Sequence, residues 1–61
     1  MKWIIVTIEG SGREAIYRIE DINYVKAAVN NKNSSYIYFK DGSYVEVKQS
    51  LATIFSILER S

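Results

Sequence analysis

The sequence contains no cysteine, no histidine and no proline. Without cysteine and histidine, the chain lacks disulfides, the usual zinc ligands, thiol nucleophiles and imidazole bases. Without proline or any low-complexity stretch, nothing in the 61 residues marks an internal domain boundary. We therefore expect one small domain over residues 1–61 that is not an enzyme and uses no metal, cofactor or small-molecule substrate.

Long hydrophobic runs and an excess of one charge are also missing. The longest apolar run near the start, Trp3 to Val6, is too short for a signal peptide or a membrane span, so we expect a cytoplasmic protein. With 8 Lys+Arg against 7 Asp+Glu, the net charge of +1 does not by itself indicate nucleic acid. A domain this small has a thin core, and without disulfides or metal the remaining support is self-association. We expect a homodimer or higher oligomer.

Apolar and polar residues alternate through most of the chain, which is typical of β-strands. The pattern predicts five strands: Trp3–Glu9, Glu14–Ile19, Ile22–Val29, Tyr36–Phe39 and Ser43–Lys48. The inward residues are Ile4, Val6 and Ile8 in the first strand and Ala15, Tyr17 and Ile19 in the second. The pattern leaves the side taken by Ile16 open.

The register of the last hairpin follows from its hydrophobic pattern. A two-residue loop at Asp41-Gly42 would mix core and surface positions. A three-residue loop that begins at Lys40, with Gly42 in the left-handed region, pairs Ile37 with Val45 and Tyr38 with Tyr44. The predicted core side is then Ile37, Phe39, Val45 and Val47, and the opposite side is Tyr36, Tyr38, Tyr44 and Glu46.

A short amphipathic helix is predicted over residues 50–60. Ser50 is a good N-cap, and the apolar stripe that should pack on the sheet is Leu51, Ile54, Phe55 and Leu58. The expected fold is therefore α+β and mostly β: a five-stranded antiparallel curved sheet or partial barrel, followed by one C-terminal helix.

The tyrosines opposite the core are the first candidate site. Tyr36, Tyr38 and Tyr44, with Lys40 and Lys48 at their margins, could stack nucleobases while the lysines meet phosphates. The same tyrosines could form a dimer interface, or they could simply stabilise the hairpin by cross-strand pairing. The residue pattern leaves all three interpretations open.

Three polar segments have simpler interpretations beside functional ones. The run from Asn30 to Ser35 is typical of a solvated loop, although its side chains could touch phosphates and base edges. Glu20 and Asp21 fit a solvated turn better than a general acid and base. The Gly10-to-Gly12 segment fits a tight turn, since it lacks the rest of a phosphate-binding fingerprint.

Three segments together resemble the first half of a LytTR DNA-binding domain: Ile19 to Ala27, Tyr36 to Gly42, and Val47 to Leu51. A complete domain of that family is about 100 residues long and continues into further strands that contact DNA. The glutamate usual in the first motif is Lys26 here. The segment from Val45 to Ser50 also resembles small flagellar proteins of the FlbD-like family, whose length is closer.

The LytTR resemblance implies a bacterial transcription-regulatory module that binds double-stranded DNA through the loop between the third and fourth strands. The candidate nucleic-acid contacts, including lysines that could meet phosphates, are Lys26, Asn30, Asn31, Lys32, Asn33, Lys40 and Lys48. The alternative is a protein-interaction module without nucleic-acid activity, which binds itself or regulates a partner protein. Its candidate interface is Tyr36, Tyr38 and Tyr44.

Overall fold

The computed structural model describes residues 2–30 and 33–60. Within these residues, five strands and one helix follow each other: β1 Trp3–Thr7, β2 Glu14–Arg18, β3 Ile22–Ala27, β4 Ser35–Phe39, β5 Tyr44–Val47 and α1 Leu51–Glu59. A single 3₁₀ turn, Ile19–Asp21, joins β2 to β3. The chain is thus mostly β with one C-terminal helix, as its pattern predicts. In the described ranges, no helix is long and apolar enough to cross a membrane.

The strands form two antiparallel sheets. β1 pairs with β2, and β3, β4 and β5 form a second sheet with β4 in the middle. The prediction of one five-stranded sheet is therefore wrong, and no closed barrel forms among the described strands. The sheets meet at an antiparallel bridge between Ile8 and Val47, and hydrogen bonds from Glu9 N–H to Glu46 O (2.9 Å) and from Lys48 N–H to Thr7 O (2.8 Å) support it.

The two sheets stay separate because the chain turns away at the end of β5. Continued pairing from the Ile8–Val47 bridge would bring Gln49 beside β1, but residues 48–50 turn into α1 instead. The side chain of Gln49 instead forms hydrogen bonds with β1: its Oε1 accepts the Thr7 N–H at 2.9 Å, and its Nε2 donates to Thr7 Oγ1 at 3.2 Å. A strand partner for β1 is thus replaced by one amide side chain.

The core lies between the two sheets and the helix. Its fully buried residues come from β1, β4, β5 and α1: Ile4, Val6, Ile37, Val47 and Ile54. Tyr17 of β2 and Phe39 of β4 close one side, with ring centroids 4.8 Å apart. Tyr17 and Ala15 lie on the core side of β2 as predicted, and Ile16 lies on the outer side, exposed.

The β4–β5 hairpin has the predicted register. Ile37 pairs with Val45 and Tyr38 with Tyr44. Gly42 has a φ of 94°, in the left-handed region that glycine adopts without steric cost, and its N–H donates to Phe39 O at 3.0 Å. The hydrophobic pattern and the glycine together determine this hairpin.

The connection between β3 and β4 differs from its prediction. β3 ends at Ala27, so Val29 lies outside the strand and is 92% exposed. Ser34 and Ser35 are buried, and not in a solvated loop. Their hydroxyl groups donate at 2.9 Å to Glu9 Oε2 and Gln49 O, which lie at the junction of the two sheets. These partners come from distant parts of the chain, so a local polar pattern cannot reveal them.

Candidate functional site

The outer side of the three-stranded sheet carries a row of aromatic rings. The strand registers place Tyr24, Tyr38 and Tyr44 side by side across β3, β4 and β5. The Tyr24 and Tyr38 rings are stacked, with centroids 4.7 Å apart and planes 12° apart, and the Tyr38 and Tyr44 rings are 5.6 Å and 29° apart. Tyr36 lies 6.0 Å from Tyr44, edge-on. We call these four residues the tyrosine face.

Charged side chains lie in the neighbouring row of the same sheet. The register places Lys26 beside Tyr36, and Tyr36 beside Glu46. Lys26 Nζ is 5.6 Å from the centroid of the Tyr38 ring, which is within the range of a cation–π contact. The tyrosine face therefore combines aromatic rings with one cation and one anion at its border.

A groove adjoins the tyrosine face at Tyr24. It has a volume of about 340 Å³ and lies between α1 and β3. Its lining is mostly apolar and includes the exposed side chains of Leu51 and Phe55. Its full lining is Ile19, Ile22, Asn23, Tyr24, Val25, Leu51, Ile54, Phe55 and Leu58. We call this the helix groove, and Tyr24 belongs both to it and to the tyrosine face.

The helix packs differently from the predicted stripe, and this creates the helix groove. Ile54 is fully buried, and Ile57 and Leu58 are the half-buried residues that pack beside it. Leu51 and Phe55, which the stripe also assigns to the packing side, are exposed. Because the helix is rotated away from the predicted stripe, part of its apolar side remains open next to β3.

The irregularity in β3 also shapes this region. The register of β3 against β4 shifts between Ile22 and Tyr24, so Asn23 is an extra residue in β3. A bulge of this kind bends a strand and increases its local twist. Asn23 and Tyr24 both line the helix groove. The bulge therefore lies at the point where the tyrosine face meets the helix groove.

The predicted nucleic-acid contacts do not form one patch. Lys40 lies in the β4–β5 turn, at one end of the three-stranded sheet, where its N–H donates to Asp21 O at 2.9 Å. Lys48 follows β5 at the opposite end, where the connection that contains Asn30 and Asn33 also lies. At about 3.3 Å per residue, the five residues of β4 separate the two ends by roughly 15 Å.

Of the remaining predicted contacts, the structure describes Lys26 but not Asn31 or Lys32. Lys26 lies beside the tyrosine face, on the half of β3 nearer to Lys48. Asn31 and Lys32 lie outside the described residues. Lys26, Asn30, Asn33 and Lys48 thus share one half of the three-stranded sheet, and Lys40 is separate from them.

The alternation of the fourth and fifth strands predicts a common side for Tyr36, Tyr38 and Tyr44, and the structure brings all three together. This predicted set lacks Tyr24. The alternation of the third strand does place Tyr24 opposite Val25, together with Lys26. Antiparallel pairing of that strand with the next one would have revealed the fourth tyrosine. The helix groove has no comparable signal, because it depends on how the helix is docked.

The two acidic residues of the 3₁₀ turn, Glu20 and Asp21, form ion pairs at the surface. Arg18 pairs with Glu20 at 3.5 Å and with Asp21 at 3.2 Å, and all three side chains are solvent-exposed to a large extent. Among residues 2–30 and 33–60, no three Asp or Glu side chains are grouped closely enough to hold a metal ion. Glu20 and Asp21 therefore have an ordinary ion-pair partner in Arg18.

Comparisons with protein-family models, with curated proteins and with solved structures found no significant match to this chain.

Proposed function

We propose that this protein is a small protein-binding module, and that the tyrosine face and the helix groove together form its binding surface. The observation that carries the proposal is the position of Tyr24, which joins four clustered tyrosines to an apolar groove that also exposes Phe55 and Leu51. Aromatic residues that surround a desolvated pocket are typical of the residues that dominate protein–protein binding energy.

The stacking of the tyrosine rings favours a protein partner over nucleobases. Base stacking needs exposed ring faces, but Tyr38 lies between the rings of Tyr24 and Tyr44. The middle ring of the row therefore offers a partner only its edge and its hydroxyl group. Tyrosine hydroxyls donate and accept hydrogen bonds at the border of an apolar contact, as protein interfaces require.

The exposed apolar area supports the same proposal. Tyr44 is 62% exposed, Tyr24 is 46% exposed, and Phe55 and Leu51 extend the surface along the helix. Single exposed apolar residues are normal, but a contiguous group with a groove at its centre is typical of an interaction site. The proposed partner presents an apolar side chain to the helix groove and hydrogen-bonding groups to the tyrosine hydroxyls.

Site-specific crosslinking followed by affinity measurement tests the proposal. A photo-crosslinking amino acid at position 44 should capture one protein in cells, whereas the same group at the exposed position 56 of α1, which does not line the helix groove, should not. With that protein purified, Tyr44→Ala and Phe55→Ala should each raise Kd about tenfold or more, the size expected for central interface residues. Val29→Ala, 92% exposed beyond the end of β3 and outside the groove lining, is the matched control and should leave Kd nearly unchanged. Equal capture at positions 44 and 56 would contradict the proposal.

DNA binding is the second candidate, and a specific grouping favours it. Lys26, Lys48, Asn30 and Asn33 share one half of the three-stranded sheet, and the LytTR resemblance assigns the loop at that end to DNA. Under this hypothesis, affinity for random duplex DNA falls steeply with salt, and Lys26→Ala and Lys48→Ala each reduce the salt slope by about one. Lys40→Ala, at the other end of the sheet, is the control. Without binding at low ionic strength, this candidate is excluded.

A further inference from the structure

The outer edge of β2 has a definite set of backbone groups. Ile19 N–H donates to Lys2 O at 3.0 Å and Ile8 N–H donates to Arg13 O at 2.7 Å, so residues 13 and 19 form hydrogen bonds toward β1. In an antiparallel ladder this direction alternates from residue to residue. The N–H and C=O groups of Glu14, Ile16 and Arg18 are therefore directed away from β1. Within the described chain, no strand pairs with β2 on that side.

The side chains at these three positions form a self-complementary pattern. An antiparallel pair of two β2 strands centred on Ile16 places Glu14 of each copy opposite Arg18 of the other. The two ion pairs flank a central contact between the two Ile16 side chains. Opposite charges that face each other across strands stabilise a sheet, and like charges destabilise it. The order acid, apolar residue, base along β2 is thus complementary to the same order in a second copy related by a two-fold axis.

Arg18 can serve this contact while it keeps its partners within the chain. Its ion pairs with Glu20 and Asp21 are solvent-exposed, and pairs of that kind contribute little. A guanidinium group presents several N–H donors in one plane, so it can pair with more than one carboxylate at a time.

The outer face of the β1–β2 hairpin supplies apolar surface for the same contact. Trp3, Ile5 and Ile16 are each more than half exposed, and Ile5 is the cross-strand neighbour of Ile16. Charged side chains usually discourage pairing between edge strands. The two charged residues of β2, Glu14 and Arg18, are opposite in sign and face each other across the two-fold axis, so this charge pattern selects a second copy of this chain.

We propose that two copies associate through β2, antiparallel about a two-fold axis at Ile16, to form a continuous four-stranded sheet in the order β1-β2-β2-β1. This pairing goes beyond the proposed partner-binding function, because it uses the first sheet and leaves the tyrosine face of the second sheet available. It also gives a thin 61-residue domain the second subunit that domains of this size often need.

A charge-swap series tested by sedimentation equilibrium decides the proposal. The wild-type chain should sediment as a dimer of 7.0 kDa subunits. Glu14→Arg places arginine opposite Arg18, and Arg18→Glu places glutamate opposite Glu14, so each should raise the dimer dissociation constant about tenfold or more. The double variant restores opposite charges and should recover the wild-type constant to within a few-fold. Glu59→Arg, with the same change of charge at the exposed end of α1, is the control and should have no effect.

Amide hydrogen exchange provides a readout that does not depend on variants. At concentrations where the dimer forms, the Ile16 amide should exchange slowly, and on dilution its exchange should become fast. The Ala15 amide is directed toward β1, so it should stay protected at both concentrations. Three results would overturn the proposal: a monomer up to about 1 mM, a double variant as dissociated as either single one, or dissociation by Tyr38→Asp but not by Glu14→Arg. The last result would place self-association on the tyrosine face instead.

Discussion

At the scale of single residues, Asp41 shows how one side chain stabilises a turn. Its Oδ1 accepts the Ser43 N–H at 2.9 Å and the Ser43 hydroxyl at 2.6 Å. These two hydrogen bonds hold the pKa of the Asp41 carboxyl below its usual value of 3.8, and the bond from the Ser43 hydroxyl has the larger effect. The ionised carboxylate thus favours the conformation in which Gly42 takes its positive φ.

The lowered pKa of Asp41 predicts a pH-dependent contribution to stability. A carboxyl with a lower pKa in the folded state stabilises the fold fully above its unfolded pKa, and the contribution is lost as the pH falls through the folded pKa. Asp41→Asn should therefore lower the free energy of unfolding at about pH 6 and have less effect at about pH 2 to 3. Urea titrations of both proteins across this range measure the difference. A difference that is constant with pH would refute the assignment.

At the scale of elements, α1 is too short to be stable alone, and two features make it helical. Ser50 Oγ accepts the Thr53 N–H at 3.2 Å, which caps the first turn, and Ile54 is fully buried in the core. The helix has nine residues, fewer than an isolated helix in water needs. Its stability therefore comes from its cap and from its packing.

The cap can be tested with a matched pair of serines. Ser50→Ala removes the acceptor for the Thr53 N–H and should lower the free energy of unfolding by about 1 kcal/mol. Ser56→Ala, an exposed position within the same helix, should be neutral or slightly stabilising, because alanine is the better helix former. Denaturant unfolding monitored by circular dichroism measures both. If the two variants have equal effects, the cap contributes nothing specific.

The elements were largely predictable, since each depends on local pattern. Gly42 and the alternation around Ile37 and Val45 determine the last hairpin, and Ser50 marks the start of the helix. The side of the helix that packs was less predictable. At 100° per residue, a stripe of four apolar positions allows more than one docking direction, and the sheet leaves Leu51 and Phe55 exposed.

At the scale of the whole molecule, a polar junction joins the two sheets. Gln49 bonds to Thr7 of β1, and the buried hydroxyls of Ser34 and Ser35 bond to Glu9 and Gln49. No described buried side-chain nitrogen or oxygen lacks a hydrogen-bond partner. Buried polar groups need such partners, because an unsatisfied one costs free energy. The junction therefore fixes how the first sheet lies over the second.

Gln49 is the residue whose loss should loosen this junction. Gln49→Ala removes both bonds to Thr7 and should lower the free energy of unfolding by about 1–3 kcal/mol. The Thr7 amide should then exchange its hydrogen faster in native conditions. Gln49→Glu keeps an oxygen that can accept this N–H, so the Thr7 amide should stay protected. Unchanged exchange in Gln49→Ala would mean that the junction does not depend on this side chain.

The sequence by itself determined the β-rich class, the strands in outline, the hairpin register and the common side of Tyr36, Tyr38 and Tyr44. Each of these follows from side-chain alternation, turn chemistry or capping, which act over a few residues. Only the tertiary structure decided that the strands divide into two sheets, that Gln49 replaces a strand partner, and that Tyr24 joins the tyrosine face to the helix groove. Those features depend on contacts between residues far apart in the chain, and no local pattern specifies them.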